Sequence, residues 1–361
     1  MVFLADLDGG EYLLTYGLFG VQHDSLTPEK RKAISTLYSL LTTSAGRVDH
    51  LQDESHGLPR DGPKSTTFVA YWLRSEDYEK WKETEAVREF WGKLPDDAGV
   101  WREVMTVPKS RFMHASSQNV ESGIASLLPL KQSSDEGYWG VYRHRLSETP
   151  DKHTDPSDSF TSPYITSTKA ETANKPVINI PPSTHGNVVK GRARICNAPD
   201  NLCFVREGQR QPHVSKEELD AWLESIAPHA KSWIEHLDTE RSKNGVVAFT
   251  THIGHEKPTS KITKGDLDPG ADLEVDTDAV AETNQLAYFL DLAHFELAGR
   301  SHKGHVQLRK NAMTLYGPGG KMSTIGKAVL YVELCVLKSG DLDAEYIGCV
   351  EGTGLMYLKD L

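Results

Sequence analysis

Three histidines fall within one stretch of the chain, residues 286–313, and each could offer an imidazole nitrogen to a metal. His302 and His305 are three residues apart and would share one face of a helix, and His294 lies eleven residues before His305 on about the same face. The stretch begins apolar and becomes basic, which predicts a helix. Imidazole is a common metal ligand, but residue types and spacing alone leave all three open, as ligands or as ordinary polar-face residues.

Other patterns that could hold a metal or a phosphate are weaker. His252 and His255 in THIGH stand three apart after a predicted strand, but no third ligand lies at zinc spacing. The loop GPGGK at 317–321 lacks the GxxxxGK[ST] order and does not lead from a strand into a helix, so it predicts a turn. The four cysteines form no CxxC pair, which disfavours a thiolate zinc site, and a disulfide scaffold is not expected at this size.

Composition narrows the class of protein. The chain has 361 residues, 38% hydrophobic and 25% charged, as is typical of a soluble globular protein with one large domain or two fused ones. Its 40 basic and 51 acidic residues give a net charge of −11, which disfavours nucleic acid and anionic membranes as partners. No run reaches the roughly 18 apolar residues of a membrane span. The start, MVFLADLDGG, lacks a signal-peptide core, so we expect a reducing, cytoplasmic location.

Apolar runs and capping residues predict the elements that must position these groups. Thr27, Ser75 and Ser215 are the expected helix caps. Two segments, 147–184 and 262–283, are rich in polar or acidic residues and predict surface loops, the first of them long and partly disordered. We expect strands over residues 11–22, 67–73, 100–107, 138–146, 191–196, 201–206, 245–253 and 329–337, and helices over 28–42, 76–91, 216–237 (interrupted at Pro228) and 286–313.

One pair of segments suggests an internal repeat. AYWL at 70–73 aligns without gaps with AYFL at 287–290, and the same register pairs Tyr78 with Phe295 and Arg88 with His305. Two copies of a strand–helix–strand unit, each with an antiparallel sheet and helices on one face, would form an α+β domain with pseudo-twofold symmetry. We therefore predict a single domain over 1–361, with halves at about 10–130 and 137–361.

Five further segments, in order along the chain, carry a resemblance: LFGVQ at 18–22, GYWGVYRHRL at 137–146, NLCFVREGQ at 201–209, SHKGH at 301–305, and LYVELCV followed by EYIGCVEGTGLM within 330–356. Together they resemble the haem-containing aldoxime dehydratases, which remove water from aldoximes to form nitriles. The resemblance implies a dimeric α+β barrel of two ferredoxin-like halves with helices outside, haem b as cofactor, a small apolar oxime-like substrate and a possible homodimer.

Carried over residue by residue, the resemblance makes His305 the proximal ligand of the haem iron, with His302 as its rival, and Arg145 the distal arginine. Two positions depart from the family. Its distal serine, in an R-S-G-Q setting, falls on Glu207, and its distal histidine, in a Y-H-E setting, falls on Val332. The expected iron ligand and the arginine are thus present, whereas the family's hydroxyl and its acid are not.

These departures decide what chemistry the chain could do. Loss of the oxime hydroxyl requires a hydrogen-bond donor and a general acid. Arg145 can position but not protonate, because a guanidinium does not lose its proton in a protein. Val332 has no proton to give. Glu207 could replace the acid if an apolar pocket raises its pKa, although Arg145 beside it would lower that pKa again, and a turn carboxylate facing water is the plain alternative.

Three functions follow from this set of residues. The first is a haem-dependent carbon–nitrogen lyase of the aldoxime dehydratase type with altered distal residues. The second is a haem peroxidase or peroxygenase, in which Glu207 and Arg145 would cleave the O–O bond of hydrogen peroxide. The third is a haem-binding protein without catalytic activity.

Overall fold

The computed structural model describes residues 2–54, 62–133, 142–146, 160, 180, 186–196, 198–211, 213–255 and 280–360. Residues 138–141 of one predicted strand lie outside the described residues, as do nearly all of the predicted loop 147–184 and residues 262–279 of the predicted acidic loop.

The strands of the described residues form one antiparallel sheet of thirteen. They are β1 (Phe3–Ala5), β2 (Leu13–His23), β3 (Arg47–Asp53), β4 (Lys64–Trp72), β5 (Val100–Pro108), β6 (Phe112–Ser116), β7 (Leu130–Gln132), β8 (Arg192–Ile195), β9 (Leu202–Arg210), β10 (Val246–His255), β11 (Val280–Phe289), β12 (Val329–Leu337) and β13 (Leu342–Ile347). Their order across the sheet is β7-β1-β6-β12-β9-β11-β10-β3-β4-β2-β5-β13-β8.

Eight α-helices accompany the sheet in the described part of the chain. They are α1 (Pro28–Thr42), α2 (Ser75–Lys82), α3 (Glu85–Lys93), α4 (Lys216–Ser225), α5 (Ala227–Thr239), α6 (Arg241–Asn244), α7 (Leu292–Ser301) and α8 (Lys303–Tyr316). None of the helices described is both long and apolar enough to cross a lipid bilayer. Thr27 and Ser215 cap α1 and α4 as predicted, each accepting a hydrogen bond from a main-chain N–H of the first turn.

The sheet curves so that its two halves face each other across an apolar interior. Tyr16 of β2 packs edge-on against Phe204 of β9 with ring centroids 5.1 Å apart, and both belong to one buried cluster that also contains Tyr71 and Tyr288. Helices α1 to α3 cover the outer face of β2, β4 and β5, whereas α5 and α7 cover the outer face of β9, β11 and β12. Helices therefore lie outside a sheet with a shared interior, which confirms the α+β class; the ferredoxin-like repeat and the dimer stay predictions.

A buried arginine ties the two halves together and fixes which way β9 presents its side chains. Arg206 is fully buried, with a guanidinium nitrogen 2.6 Å from Asp49 of β3 and another 2.9 Å from Glu282 of β11. Its charge is therefore paired from both halves of the sheet, as a buried charge requires. Because neighbouring residues of a strand point to opposite faces, Glu207 faces outward, toward the helices of the second half.

Several predicted elements have the expected bounds and others differ. Helix α1 and strand β12 run over the residues predicted, and the helix 216–237 is interrupted, although at Ile226 rather than at Pro228. The predicted helix 286–313 is wrong as one element, because β11 extends to Phe289 and two helices follow it. Ser75 begins α2 rather than capping it, and the predicted helix 76–91 breaks between α2 and α3.

The predicted strand over 138–146 is also wrong in its described part. Residues Arg143–Arg145 form a 3-10 turn, and the preceding Tyr142 has helical backbone angles. Residues 142–146 do not join the sheet; they pack on α7, where the Tyr142 ring lies 4.8 Å from that of Phe295. The apolar and aromatic content that suggests a strand here instead fills the space between this segment and the helix.

Candidate functional site

Helix α8 holds His305 in its first turn because the chain breaks at His302. His302 has an extended backbone, and its ring Nδ1 accepts a hydrogen bond of 3.1 Å from the main-chain N–H of His305. This is a side-chain cap, which satisfies one of the N–H groups that a helix start leaves without a partner. The two histidines of SHKGH therefore have different roles. His302 caps the start of α8, and His305 lies in the first turn of that helix.

The imidazole of His305 is held with one nitrogen occupied and the other available. Its Nδ1 lies 2.6 Å from the main-chain oxygen of Gly299 in α7. A carbonyl oxygen can only accept, so Nδ1 carries the proton and Nε2 keeps its lone pair. Burial lowers the pKa of His305 to about 4, so the ring is neutral at neutral pH. A neutral ring with a free Nε2 is the form that binds a metal.

The rival histidines differ from His305 in tautomer or in position. His302 accepts a hydrogen bond at Nδ1 from a main-chain N–H, so the proton of its neutral ring is on Nε2, and that nitrogen has no lone pair to offer. Its ring stacks on that of His236, with centroids 4.2 Å apart. His294 also has its Nδ1 occupied, by Asp291 at 2.8 Å, but unlike His305 it is not among the described residues that line the cleft between α7, α8 and β9. The geometry thus favours His305 among the three.

A tryptophan that sequence reasoning treats as part of an ordinary amphipathic helix packs directly on His305. The ring of Trp233 in α5 lies 4.4 Å from the imidazole of His305, centroid to centroid, at an angle of 33°. Trp233 is buried, and it also packs 5.8 Å from the ring of His302. It therefore fixes the plane in which the His305 imidazole lies. Its single sequence signal is its place on the apolar face of that helix.

Glu207 and His305 line one cleft. The cleft lies between α7, α8 and the outer face of β9, and its walls include Tyr142, Glu207, Phe295 and His305. Glu207 keeps some exposed surface, but the burial of its carboxyl raises its pKa to about 7, and the neighbouring Trp233 indole opposes that rise. The carboxyl is therefore protonated in a large fraction of molecules at neutral pH, which an exposed glutamate is not.

Val332 lies directly beside Glu207. Strands β9 and β12 pair so that these two residues are opposite each other and face the same side of the sheet. Val332 is fully buried, in the cluster that includes Tyr142 and Phe295. On the other side of Glu207, β11 places Gln285 opposite it, and the buried Gln285 Oε1 has no hydrogen-bond partner within the described residues. Sequence reasoning misses Gln285, since only the strand register reveals it.

Residues 142–146, which include Arg143 and Arg145, contribute an ion pair that the sequence does not indicate. Arg143 donates to Glu296 of α7 at 3.0 Å, with both side chains at least nine-tenths buried, and Glu296 also lines the cleft. Arg145 follows two residues later and is partly exposed. It is not among the described residues that line the cleft, so its distal role stays a prediction. The segment reaches the cleft wall through Tyr142, which packs on Phe295.

The other candidate metal and phosphate sites do not form within the described residues. There, no group of three or more His, Cys, Asp and Glu residues is placed to hold a metal ion. His252 instead lies 3.0 Å from Asp53 of β3, inside the sheet. All four cysteines are free thiols, of which Cys196 is exposed. Residues 317–321 follow helix α8 as a turn, which confirms that prediction.

Comparison with known proteins decides the family. The family model described as haem-containing dehydratase matches residues 17–355. This chain belongs to that family. Haem is therefore its cofactor, and the protein is a haem-dependent lyase of the dehydratase type. The match covers both halves of the sheet and all eight described helices.

The relatives are distant in sequence but similar in length and fold. The chain is 24% identical to the phenylacetaldoxime dehydratase of Bacillus sp. (strain OxB-1) over 302 residues, 82% of this chain and 74% of that protein. It is 21% identical to the aliphatic aldoxime dehydratase of Rhodococcus erythropolis over 351 residues, 94% and 85% of the two chains. The crystal structure of aldoxime dehydratase OxdRE with butyraldoxime superposes with a TM-score of 0.76 at 16% identity, covering 99% and 88% of the chains.

The residues that line the cleft are of the chemical types that a haem site requires. A neutral imidazole with a free Nε2 can ligate the iron, aromatic rings can pack on a macrocycle, and Arg300 and Arg309 at the cleft wall carry charges suited to propionates. The cleft is narrow in this structure, about 40 Å³, against roughly 300–1,000 Å³ for small-molecule pockets.

Proposed function

We propose that this protein dehydrates aldoximes to nitriles, with His305 as the haem ligand and Glu207 as the general acid. The observation that carries the proposal is that one cleft contains both an imidazole with a free Nε2 and a carboxyl whose pKa is raised to about 7. Family membership supports the dehydratase reaction, and the names of the curated relatives support an oxime as substrate.

The surroundings of His305 favour a lyase over a peroxidase. Haem iron, when bound, supplies a position for the oxime nitrogen and electron density for cleavage of the N–O bond. Cleavage of an O–O bond is favoured by an electron-rich axial ligand, as in thiolate-ligated haem. A carboxylate at Nδ1 makes an imidazole more basic, but His305 donates to the uncharged carbonyl of Gly299. The ligand therefore stays a neutral imidazole.

Glu207 can carry both proton transfers of the reaction. The N–O bond breaks as the oxime hydroxyl takes a proton and leaves as water, and the hydrogen on the oxime carbon leaves as a proton when the C≡N bond forms. The reaction neither consumes nor releases a net proton or electron, so a carboxyl that donates first can accept afterwards. Val332, its neighbour across the sheet, has no proton to exchange.

The groups around Glu207 would position the oxime and select its substituent. Arg145 would donate to the oxime oxygen, holding it in place without being able to protonate it. The aromatic and aliphatic walls contributed by Tyr142, Phe295 and Val332 favour a small apolar substituent on the oxime carbon. A homodimer and a cytoplasmic location are part of the same proposal.

The test uses the purified, haem-loaded protein under reducing conditions. Butyraldoxime and phenylacetaldoxime are supplied in turn, and nitrile is measured by gas chromatography; a parallel reaction measures oxidation of a phenol by hydrogen peroxide. The proposal expects nitrile from at least one oxime, and loss of nitrile in Glu207→Gln. Peroxide-dependent turnover that needs Glu207, with no nitrile formed, would establish the peroxidase instead. Haem binding without either activity would leave only a haem-binding protein.

A further inference from the structure

A second cleft lies on strands β5, β13 and β8 and helices α2 and α3, none of which contributes to the His305 cleft. It has a volume of about 500 Å³, within the range of roughly 300–1,000 Å³ that small-molecule sites occupy. Its walls include Trp91, Arg102, Arg192, Arg194, Cys196 and Asp343. We call it the arginine groove. Its positive side chains contrast with the net charge of −11 of the chain.

Three guanidinium groups converge on one carboxylate at the floor of this groove. Glu345 is almost fully buried, and its carboxylate oxygens lie 3.2 Å from Arg102, 3.3 Å from Arg192 and 2.9 Å from Arg194. Strand pairing produces this arrangement, because Glu345 of β13 stands between Arg102 of β5 and Arg194 of β8 in one row. Asp343, at 3.8 Å from Arg102, is 42% exposed. These three cations thus face two carboxylates.

Two buried donors in the groove lack acceptors. The Nε of Arg102 and the Nε1 of Trp91 are both shielded from water, and neither has a hydrogen-bond partner among the described residues. The residues are 8% and 6% exposed, and the guanidinium lies 4.9 Å from the Trp91 ring. Buried donors are almost always satisfied in proteins, and leaving one without an acceptor is costly. These two donors are too deeply buried to meet a ligand in the groove. It is the surplus of the three arginines over the two carboxylates beside them that calls for an oxygen-rich, negatively charged partner.

We propose that the arginine groove binds a small polyanion through phosphate or carboxylate oxygens. Guanidinium groups match both oxyanions through paired N–H donors. Arg192 and Arg194, which are 32% and 63% exposed, reach the ligand from the edge strand. Arg102 holds the floor and contributes the buried charge. The site is separate from the proposed haem chemistry, so it serves a second ligand of the enzyme and does not depend on which reaction the His305 cleft performs.

The experiment titrates the haem-loaded protein with inorganic pyrophosphate and with citrate by isothermal calorimetry. The variant Arg194→Gln, at an exposed position, should weaken binding of the preferred probe about tenfold, and the double variant Arg192→Gln/Arg194→Gln should abolish it. Asp343→Asn removes a repelling carboxylate and should tighten binding several-fold. Arg74→Gln is the matched control, since it removes one equally exposed positive charge that belongs to an ion pair with Asp77 outside the groove.

Cys196 offers a second measurement of the same site. It is the exposed cysteine of the four and lines the groove, so alkylation by iodoacetamide should be selective for it. The bound probe should slow that alkylation in the wild type but not in the double variant. Preference for pyrophosphate or for citrate identifies the oxyanion. Wild-type protein that binds neither probe more tightly than the double variant, or an equal loss in Arg74→Gln, would overturn the proposal.

Discussion

The Nδ1 of His305 lies 2.6 Å from the main-chain oxygen of Gly299, in the last turns of the helix before it. This contact fixes the tautomer of the ring and leaves Nε2 free on the side of the cleft. His302, three residues earlier, holds the opposite tautomer because it accepts from a main-chain N–H. One motif therefore contains a histidine prepared for a metal and a histidine prepared for a helix cap.

Gly299→Ala should weaken haem binding about tenfold, the scale on which groups that orient metal ligands act. A Cβ at this position would lie 3.1 Å from Cε1 and 3.3 Å from Nδ1 of His305, so the ring must shift. Haem titration followed by absorbance measures the effect. Gly92→Ala, also in a helix but with no atom within 4 Å of the new Cβ, is the control. Equal affinities of the two variants would show that the Gly299 contact does not orient the ligand.

Glu207→Gln should lower kcat for nitrile formation about 100-fold to 10,000-fold, the range of general acid catalysis. The wild-type rate should follow the protonated carboxyl, whose pKa burial raises to about 7. From pH 6 to pH 8 the protonated fraction falls from about nine-tenths to about one-tenth, so the rate should fall about tenfold. A rate that rises with pH over this interval would exclude Glu207 as the acid.

Glu207→Gln should also be more stable than the wild type, and its advantage in unfolding free energy should grow as the pH rises. The folded-state pKa of Glu207 lies above its ordinary value of 4.5, so the protein loses stability relative to the unfolded chain as pH rises from that value through about 7. Glu207→Gln cannot ionise and avoids this loss. Its free energy of unfolding, measured with urea, should therefore exceed that of the wild type by more at pH 8 than at pH 5. A constant difference would mean that the carboxyl has an ordinary pKa.

Val332→His, introduced together with Glu207→Gln, should restore part of the lost nitrile-forming activity. The two side chains are opposite each other on β12 and β9, so an imidazole at 332 would reach the position that the carboxyl serves. The buried site must expand to hold the larger ring, which should cost about 1–3 kcal/mol of stability. Val332→Phe in the same background adds bulk without a proton and should restore nothing. Equal rates of nitrile formation in the two double variants would contradict proton transfer by a side chain at position 332.

Arg143→Gln and Arg145→Gln should separate stability from catalysis. Arg143 and Glu296 form a buried pair, and removing the cation leaves the carboxylate with the more distant, exposed Arg300 at 3.5 Å. The loss should cost about 1.5–3 kcal/mol of unfolding free energy, the scale of a hydrogen bond to a charged group. Arg145 is partly exposed, so its loss should cost little stability while lowering kcat about a hundredfold, as loss of an oxyanion donor does. Chemical denaturation and initial rates measure the two effects. Loss of activity in Arg143→Gln alone, at full stability, would move the distal role to Arg143.

Where local pattern and tertiary contact agree, the sequence predicts the fold well. Strand β12 and helix α1 show continuous apolar or helical periodicity and have their predicted bounds. Strand β3, RVDHLQD, escapes prediction because its inward-facing Asp49 is charged, and its partner Arg206 lies 157 residues away. The predicted helix 286–313 fails because a short apolar run such as AYFL suits a buried strand as well as a helix.

The sequence proposes an iron ligand, which stays a prediction, but it does not indicate the groups around that ligand. The motif SHKGH and its resemblance to a known family select His305, while spacing alone does not exclude His302. The side-chain cap that argues against His302 depends on the break between α7 and α8. The neighbourhood of Glu207, with Val332 on one side and Gln285 on the other, depends on strand pairing between distant segments. Trp233 reaches His305 from a third helix, which no local pattern indicates.

The most direct test of the central claim is haem titration of His305→Ala and His302→Asn, followed at the Soret band. The asparagine at 302 retains an oxygen that can cap α8, so helix integrity is preserved while the imidazole is removed. His302→Asn should give the wild-type spectrum and affinity, whereas His305→Ala should lose the histidine-ligated Soret band and regain it on addition of free imidazole. A wild-type spectrum in His305→Ala, together with its loss in His302→Asn, would contradict the assignment of His305 as the haem ligand.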